Sequence, residues 1–266
     1  MVGGNPAALS GADSAARSRL ISLGYGVTIV GDNASVPGDA TGKQLIVISS
    51  TVSSANVNTK FRTAAVPLVT WEQAIWDDLG MTAAAGTQVA GQNSVAIANP
   101  SSPLAAGLSG TVTVSTASDI FAQGSPTGSA DVAARLPGTS TASDFGYDTG
   151  AAMAGLAAPA RRVGLFFTDN TPASFTTQGW ALFDAAVTWA RNAGVAAINS
   201  DTRLAMFVGP CGADESQPCV NTGQPVTLPH LPTAVLFFAI LPERLKIRGP
   251  RPQGVARRAQ RPVANR

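Results

Sequence analysis

One histidine, two cysteines and three lysines are all that the 266 residues hold of those types. Each shortage removes a class of chemistry. His230 lies in a Pro/Arg-rich stretch near the C-terminus and no second imidazole exists, so neither a Ser/His/Asp nor a Cys/His arrangement can be assembled. Cys211 and Cys219 have no histidine or further cysteine close enough to complete a metal set. They close a small ring in an oxidising compartment, or stand as two free thiols in the cytosol. Charged residues make up 13% of the chain, about half the usual level, and Ala, Gly, Ser and Thr fill the surface instead. The longest apolar run, Ala234–Leu241, is far short of the ~20 residues that span a bilayer. Met1-Val2-Gly3-Gly4 has neither a basic start nor an apolar stretch of the kind a secretory leader needs.

The net charge of +2 hides a division. Residues 244–266 carry eight bases and no acid, which leaves ten bases against sixteen acids, or −6, for residues 1–243. A mildly acidic body gives no electrostatic footprint for nucleic acid.

What is present is an alternation of strand-like and helix-like segments over residues 1–195, the pattern of a largely parallel sheet covered by helices. Ser10–Leu23 reads as a helix capped by Ser10, Tyr25–Val30 as a β-branched strand, and Leu45–Ser49 as a strand buried on both faces. Asn56–Ala65 reads as a short helix, and Ser94–Ala98, Thr111–Thr116 and Asp131–Leu136 as short strands. Arg162–Thr168 is a buried strand, and Thr177–Asn192 a helix with Trp180, Phe183, Val187 and Ala190 at helical spacing and Gly194 as its cap. Met1–Gly4 has only two apolar residues for a first strand, so that strand is expected to be truncated. Residues 196–222 form a linker holding Cys211 and Cys219, and 223–228 read as the opening strand of an immunoglobulin-like or PKD-like sandwich. After Leu228 the composition turns to Pro, Arg and aperiodic apolar residues. That is expected of an out-of-frame translation or of a natural basic disordered tail over 229–266.

The most informative stretch is Val66–Glu72 followed by Gln73–Gly80: an apolar strand, a sharp turn, then an expected helix over Gln73–Leu79. Elsewhere that layout lifts a nucleophile onto an elbow, but here the position carries Glu72. Its carboxylate is a candidate general base or ligand anchor, or caps the following turn. Asp169 closes the late strand on the same edge and is the second candidate. Ser49, Ser50 and Thr51, together with Asn5 and Trp71, are candidate ligand contacts. For the hydroxyls the competing role is helix capping, and for Trp71 and Trp76 it is core packing. Gly3-Gly4-Asn5-Pro6 lacks the spacing of a dinucleotide or phosphate loop, so no cofactor is expected. Asp77-Asp78 has no third carboxylate at ligand spacing.

Six motifs taken in order resemble the ThuA-like branch of the class I glutamine amidotransferase-like superfamily: Gly4-Asn5-Pro6, Leu23–Val30, the Val66–Gly80 elbow, Pro103–Leu108, Ala160–Phe167 and Gly179–Phe183. The resemblance implies a three-layer flavodoxin-like α/β fold over residues 1–195. In active members a Cys stands at the elbow and a His-x-Glu pair on a late strand. The matching positions here are Glu72, Phe167 and Asp169, so glutamine hydrolysis by that mechanism is excluded. The resemblance further implies a bacterial, secreted or cell-surface multidomain protein in which this chain is a non-catalytic structural or ligand-binding module. Its neighbours would be PKD/immunoglobulin-like domains and its ligand class carbohydrate. The rivals are a carboxylate-based hydrolase using Glu72 and Asp169 on a sugar-like substrate, and a gene fragment without function of its own.

Overall fold

The computed structural model describes residues 1–192. Helix α1 (Gly11–Ser22) starts where Ser10 accepts a hydrogen bond from the Asp13 N–H, and it buries Ala12, Ala16 and Leu20 along one side. Helix α3 (Thr177–Arg191) starts in the same way, with Thr176 accepting from the Gly179 N–H. It buries Leu182, Phe183, Ala186, Val187 and Ala190, the spacing of a single helical face. Burying its Leu, Phe and Val stabilises by roughly 2 kcal/mol each. Arg19 of α1 pairs with Asp184 of α3 and lies 5.7 Å over the ring of Trp180, joining the two helices.

Both helices lie on one face of a nine-stranded mixed sheet. Its first half is parallel. Strand β1 (Val2–Gly3) pairs with β2 (Val30–Gly31) on one side and β3 (Ile46–Ile48) on the other, β3 pairs with β4 (Leu68–Thr70), and β4 with β11 (Arg162–Gly164). The second half is antiparallel. From β11 it runs through β10 (Ala142–Tyr147) and β9 (Asp131–Arg135) to β6 (Ser94–Ile97) and β7 (Thr111–Thr113). Strands β5 (Thr87–Gln92) and β8 (Asp119–Gln123) form a separate antiparallel ribbon.

Both faces of the parallel half are buried, as its continuous apolar runs require. Val47, Val69 and Val163 point into the core beneath α1 and α3, while Ile46, Ile48 and Leu68 point the other way, toward Phe61, Trp76 and Leu79. The second face is covered by the four-residue α2 (Ser54–Val57) and by 3-10 turns rather than by long helices. The expected α/β class is therefore observed, with a mixed sheet and few helices.

Two local expectations give way to tertiary packing. Gln73–Leu79 is a 3-10 turn over Gln73–Ile75 and then further turns, not a helix. The Trp76 ring is inserted edge-on against Phe145 at 5.1 Å, and a Cβ at Gly86 or Gly124 would come within 2.7 or 2.8 Å of it. Seven residues cannot recover helix nucleation against that packing. Of the Tyr25–Val30 run only Val30 pairs, because β1 offers just Val2 and Gly3 as partners. Ala142–Tyr147, a polar-looking stretch, is a wholly buried strand. Gly146 lets it lie against the helix layer, since a Cβ there would sit 2.8 Å from Trp189 and 2.9 Å from Leu104.

Candidate functional site

The parallel strands end along one edge, where the segments after β1, β3, β4 and β11 bring most of the candidate residues. At the end of β4 the Thr70 hydroxyl accepts from the Glu72 N–H at 3.1 Å, turning the chain sharply. Glu72 Oε1 then accepts from the Ala74 N–H at 3.0 Å. The carboxylate is thus the cap of the turn that follows, and it is 5% exposed. Burial pushes its pKa from 4.5 to about 7; the Ala74 bond opposes that rise and the negative charge of Asp169 adds to it. Asp169 is exposed in the turn after β11. The fold therefore brings the two carboxyls within electrostatic reach, although among the described residues no hydrogen bond joins them or ties both to a common partner.

Trp71 and Phe167 are core residues. Trp71 is 1% exposed, with its ring 4.9 Å from Phe167 and 6.1 Å from Phe183. Phe167 also meets Phe175 edge-on at 4.9 Å. Trp71, Phe167, Phe175 and Phe183 thus form one aromatic cluster in the core.

The hydroxyls after β3 are largely committed inward. Ser49 Oγ donates to Asp13 Oδ1 at 2.5 Å and Thr51 Oγ1 to Asp13 Oδ2 at 2.7 Å. Thr51 Oγ1 in turn accepts from the Gly4 N–H at 3.1 Å. Asp13, buried in the first turn of α1, is the residue that sequence reading missed. The spacing Ser10-x-x-Asp13 marks a cap, but the carboxylate turns away to clamp the loop. Gly4 is required there by packing, since a Cβ would stand 2.3 Å from the Thr51 carbonyl oxygen. Asn5 is exposed and its Oδ1 accepts from the Ala7 N–H at 3.0 Å, a local turn. Ser50 differs: its hydroxyl is buried without a hydrogen-bond partner among the described residues.

Asp77 and Asp78 lie half-buried beyond the elbow. Burial raises the Asp78 pKa, Asp77 raises it further, and Arg62 offsets part of this. Among the described residues no three His, Cys, Asp or Glu side chains come together as a metal set. Away from this edge, Asp144 on β10 is wholly buried and neither of its oxygens has a partner among the described residues. Burial, with Asp131 nearby, drives its pKa well up. Nothing in the periodicity of its strand announced it. Cys211, Cys219 and the expected segments beyond residue 195 lie outside the described residues. No helix among the described residues is long and apolar enough to cross a membrane.

No family model matches the chain, and no curated protein matches it either. Among solved structures it is similar to a protein of Salmonella typhimurium described as cytoplasmic, at a TM-score of 0.46 and 10% identity. The match covers 66% of this chain and 86% of the other. The α/β class rests on the strands and helices described above.

Proposed function

We propose that the chain is a non-catalytic structural or ligand-binding module of a secreted, multidomain bacterial protein, built on a ThuA-like, three-layer flavodoxin-like domain. The strand order β2-β1-β3-β4-β11 supports that fold, being the doubly wound order 2-1-3-4-5 in the parallel half. The observation that carries the functional reading is Phe167. On the resemblance it stands where a triad has its base, and here it is a buried phenyl ring in an aromatic cluster, while Glu72 is engaged as a cap. With no Ser or Cys at the elbow and Glu72 engaged as a cap, binding is the role this reading gives the edge. Ser50, Asp169 and the free oxygen of Glu72 are the groups left to contact a polar ligand such as a carbohydrate. Trp71, buried as it is, supplies no stacking surface.

A second reading has one specific support. Glu72 holds its proton to about pH 7 with an exposed carboxylate, Asp169, within electrostatic reach. Two neighbouring carboxyls, one of them holding its proton, are the pairing used in glycoside hydrolysis.

One assay separates the two readings. The full chain is incubated with chromogenic esters, amides and glycosides, and its binding to a panel of polysaccharides is measured by calorimetry. The module predicts no turnover above buffer, with any polysaccharide affinity reduced by Asp169→Ala. Hydrolysis that disappears in Glu72→Gln would overturn it in favour of the carboxylate pair.

A further inference from the structure

Where the β5–β8 ribbon meets the sheet, four buried side-chain oxygens stand without hydrogen-bond partners among the described residues: Gln123 Oε1, Ser143 Oγ, and both carboxylate oxygens of Asp144. Ser143 and Asp144 are wholly buried. Gly124, just after β8, exchanges both backbone bonds with Ala142, the first residue of β10, at 2.8 and 3.1 Å. The pairing is antiparallel, so Gln123 stands opposite Ser143 in the next, closely spaced pair, with Cα atoms about 4.5 Å apart.

A bulge puts these groups on one face. Between Ala142 and Phe145 the register of β10 against β9 shifts twice. Ala142 and Phe145 both point into the core around Trp76 although they are three residues apart. The two residues between them, Ser143 and Asp144, therefore turn to the opposite face. Gln123 turns the same way, because its neighbours Ala122 and Gly124 face the Trp76 side and Phe121 packs in the other core. Asp131 joins them from β9. It lies opposite Gly146, accepts from Ser102 Oγ at 2.6 Å and from the Asn99 amide at 3.1 Å, and its charge reaches Asp144.

We propose that Gln123, Ser143 and Asp144 form a binding site for a single calcium ion. Buried acceptors left unpaired each carry a desolvation cost, and an ion is one of the few occupants that relieves several at once. A neutral ligand would have to bring a donor for every oxygen into a place closed to solvent. Asp144 supplies one negative charge and Asp131 a second beside it, which favours a divalent ion over a monovalent one. Carboxylate, amide carbonyl and hydroxyl are hard oxygen ligands, and calcium accepts such a mixture in irregular geometry. Magnesium demands a near-octahedral shell and gives up its water reluctantly. Backbone carbonyls or water complete the calcium shell. Gln123 is half-buried, so the ion enters from its side. None of the residues that carry the reading of Glu72 takes part.

The test uses the full chain, stripped with a chelator and titrated with calcium chloride by calorimetry and thermal melting. A Kd of about 10⁻⁴ M is expected, at the weak end for a site with few charged ligands. Calcium at about 10 mM, roughly a hundredfold excess, should then raise the Tm by about 5–10 °C. Asp144→Asn keeps the side chain's size, and in metal-free buffer it should fold at least as well as the parent, because an amide is less costly to bury than a carboxylate. It is expected to lose the calcium-dependent rise in Tm. Ser143→Ala and Gln123→Leu each remove one neutral oxygen and should weaken binding by about tenfold or more. Binding that persists in Asp144→Asn, or that is lost instead in Asp77→Asn at the acidic pair beyond the elbow, would overturn the proposal. An equal rise in Tm with magnesium would overturn the assignment to calcium, and no heat and no rise up to about 10 mM calcium would leave no site at all.

Discussion

Replacing Glu72 by glutamine tests the buried carboxyl at the elbow through stability alone. In the unfolded chain Glu72 titrates at its ordinary 4.5, and in the fold at about 7. A raised carboxyl pKa means the unfolded state ionises first. Below about pH 4 both states hold the proton and the group contributes no pH dependence. As pH rises from 4.5 to about 7 the fold loses stability by up to about 1.4 kcal/mol per unit, and above that the loss levels off at about 3 kcal/mol. The glutamine amide does not titrate, keeps an oxygen for the Ala74 N–H, and is nearly the same size as the carboxyl it replaces. Glu72→Gln should therefore match the parent near pH 4 and exceed it by about 3 kcal/mol near pH 8. Urea unfolding at about pH 4, 6 and 8, with the slope m held as a check on two-state behaviour, measures that difference directly. A constant difference across the three pH values would refute the reasoning. It would mean that the Glu72 carboxyl is solvated in the folded chain and that its capping geometry, not its burial, governs the turn.

Asp144→Asn should follow the same sign from a deeper site. Burial and Asp131 raise the pKa of Asp144, so the stability gained by the amide should be larger near pH 8 than near pH 5 in urea unfolding; a gain independent of pH would count against an uncharged Asp144. Gly179→Ala sets propensity against packing: alanine favours the helix by about 1 kcal/mol. A Cβ at this position, however, would lie 2.3 Å from the Val114 carbonyl oxygen and 2.6 Å from the Phe175 ring. Overpacking of that kind costs about 1–3 kcal/mol and the oxygen is backbone, so a lower melting temperature is expected. A higher one would show that α3 can shift.

Much of the framework was legible in the chain. Ser10 announced the start of α1, because a hydroxyl three residues ahead of a free N–H is a local device, and the helical spacing of Trp180, Phe183, Val187 and Ala190 announced α3. The expected strands Leu45–Ser49, Val66–Trp71 and Arg162–Thr168 contain β3, β4 and β11. The antiparallel half was less so: β5, β8 and β10 carry polar, Gly-containing or mixed sequences whose strand state depends on neighbours far along the chain.

The sequence by itself determined which side chains stand at the elbow and which kinds of chemistry the chain lacks, for those follow from composition and order alone. Only the tertiary structure decided what each of them is doing. Asp13 became a clamp on Ser49 and Thr51 across 36 and 38 residues, and Trp71 became core. Burial, close approach and strand neighbours arise between segments distant in sequence, where local propensity and periodicity have no reach.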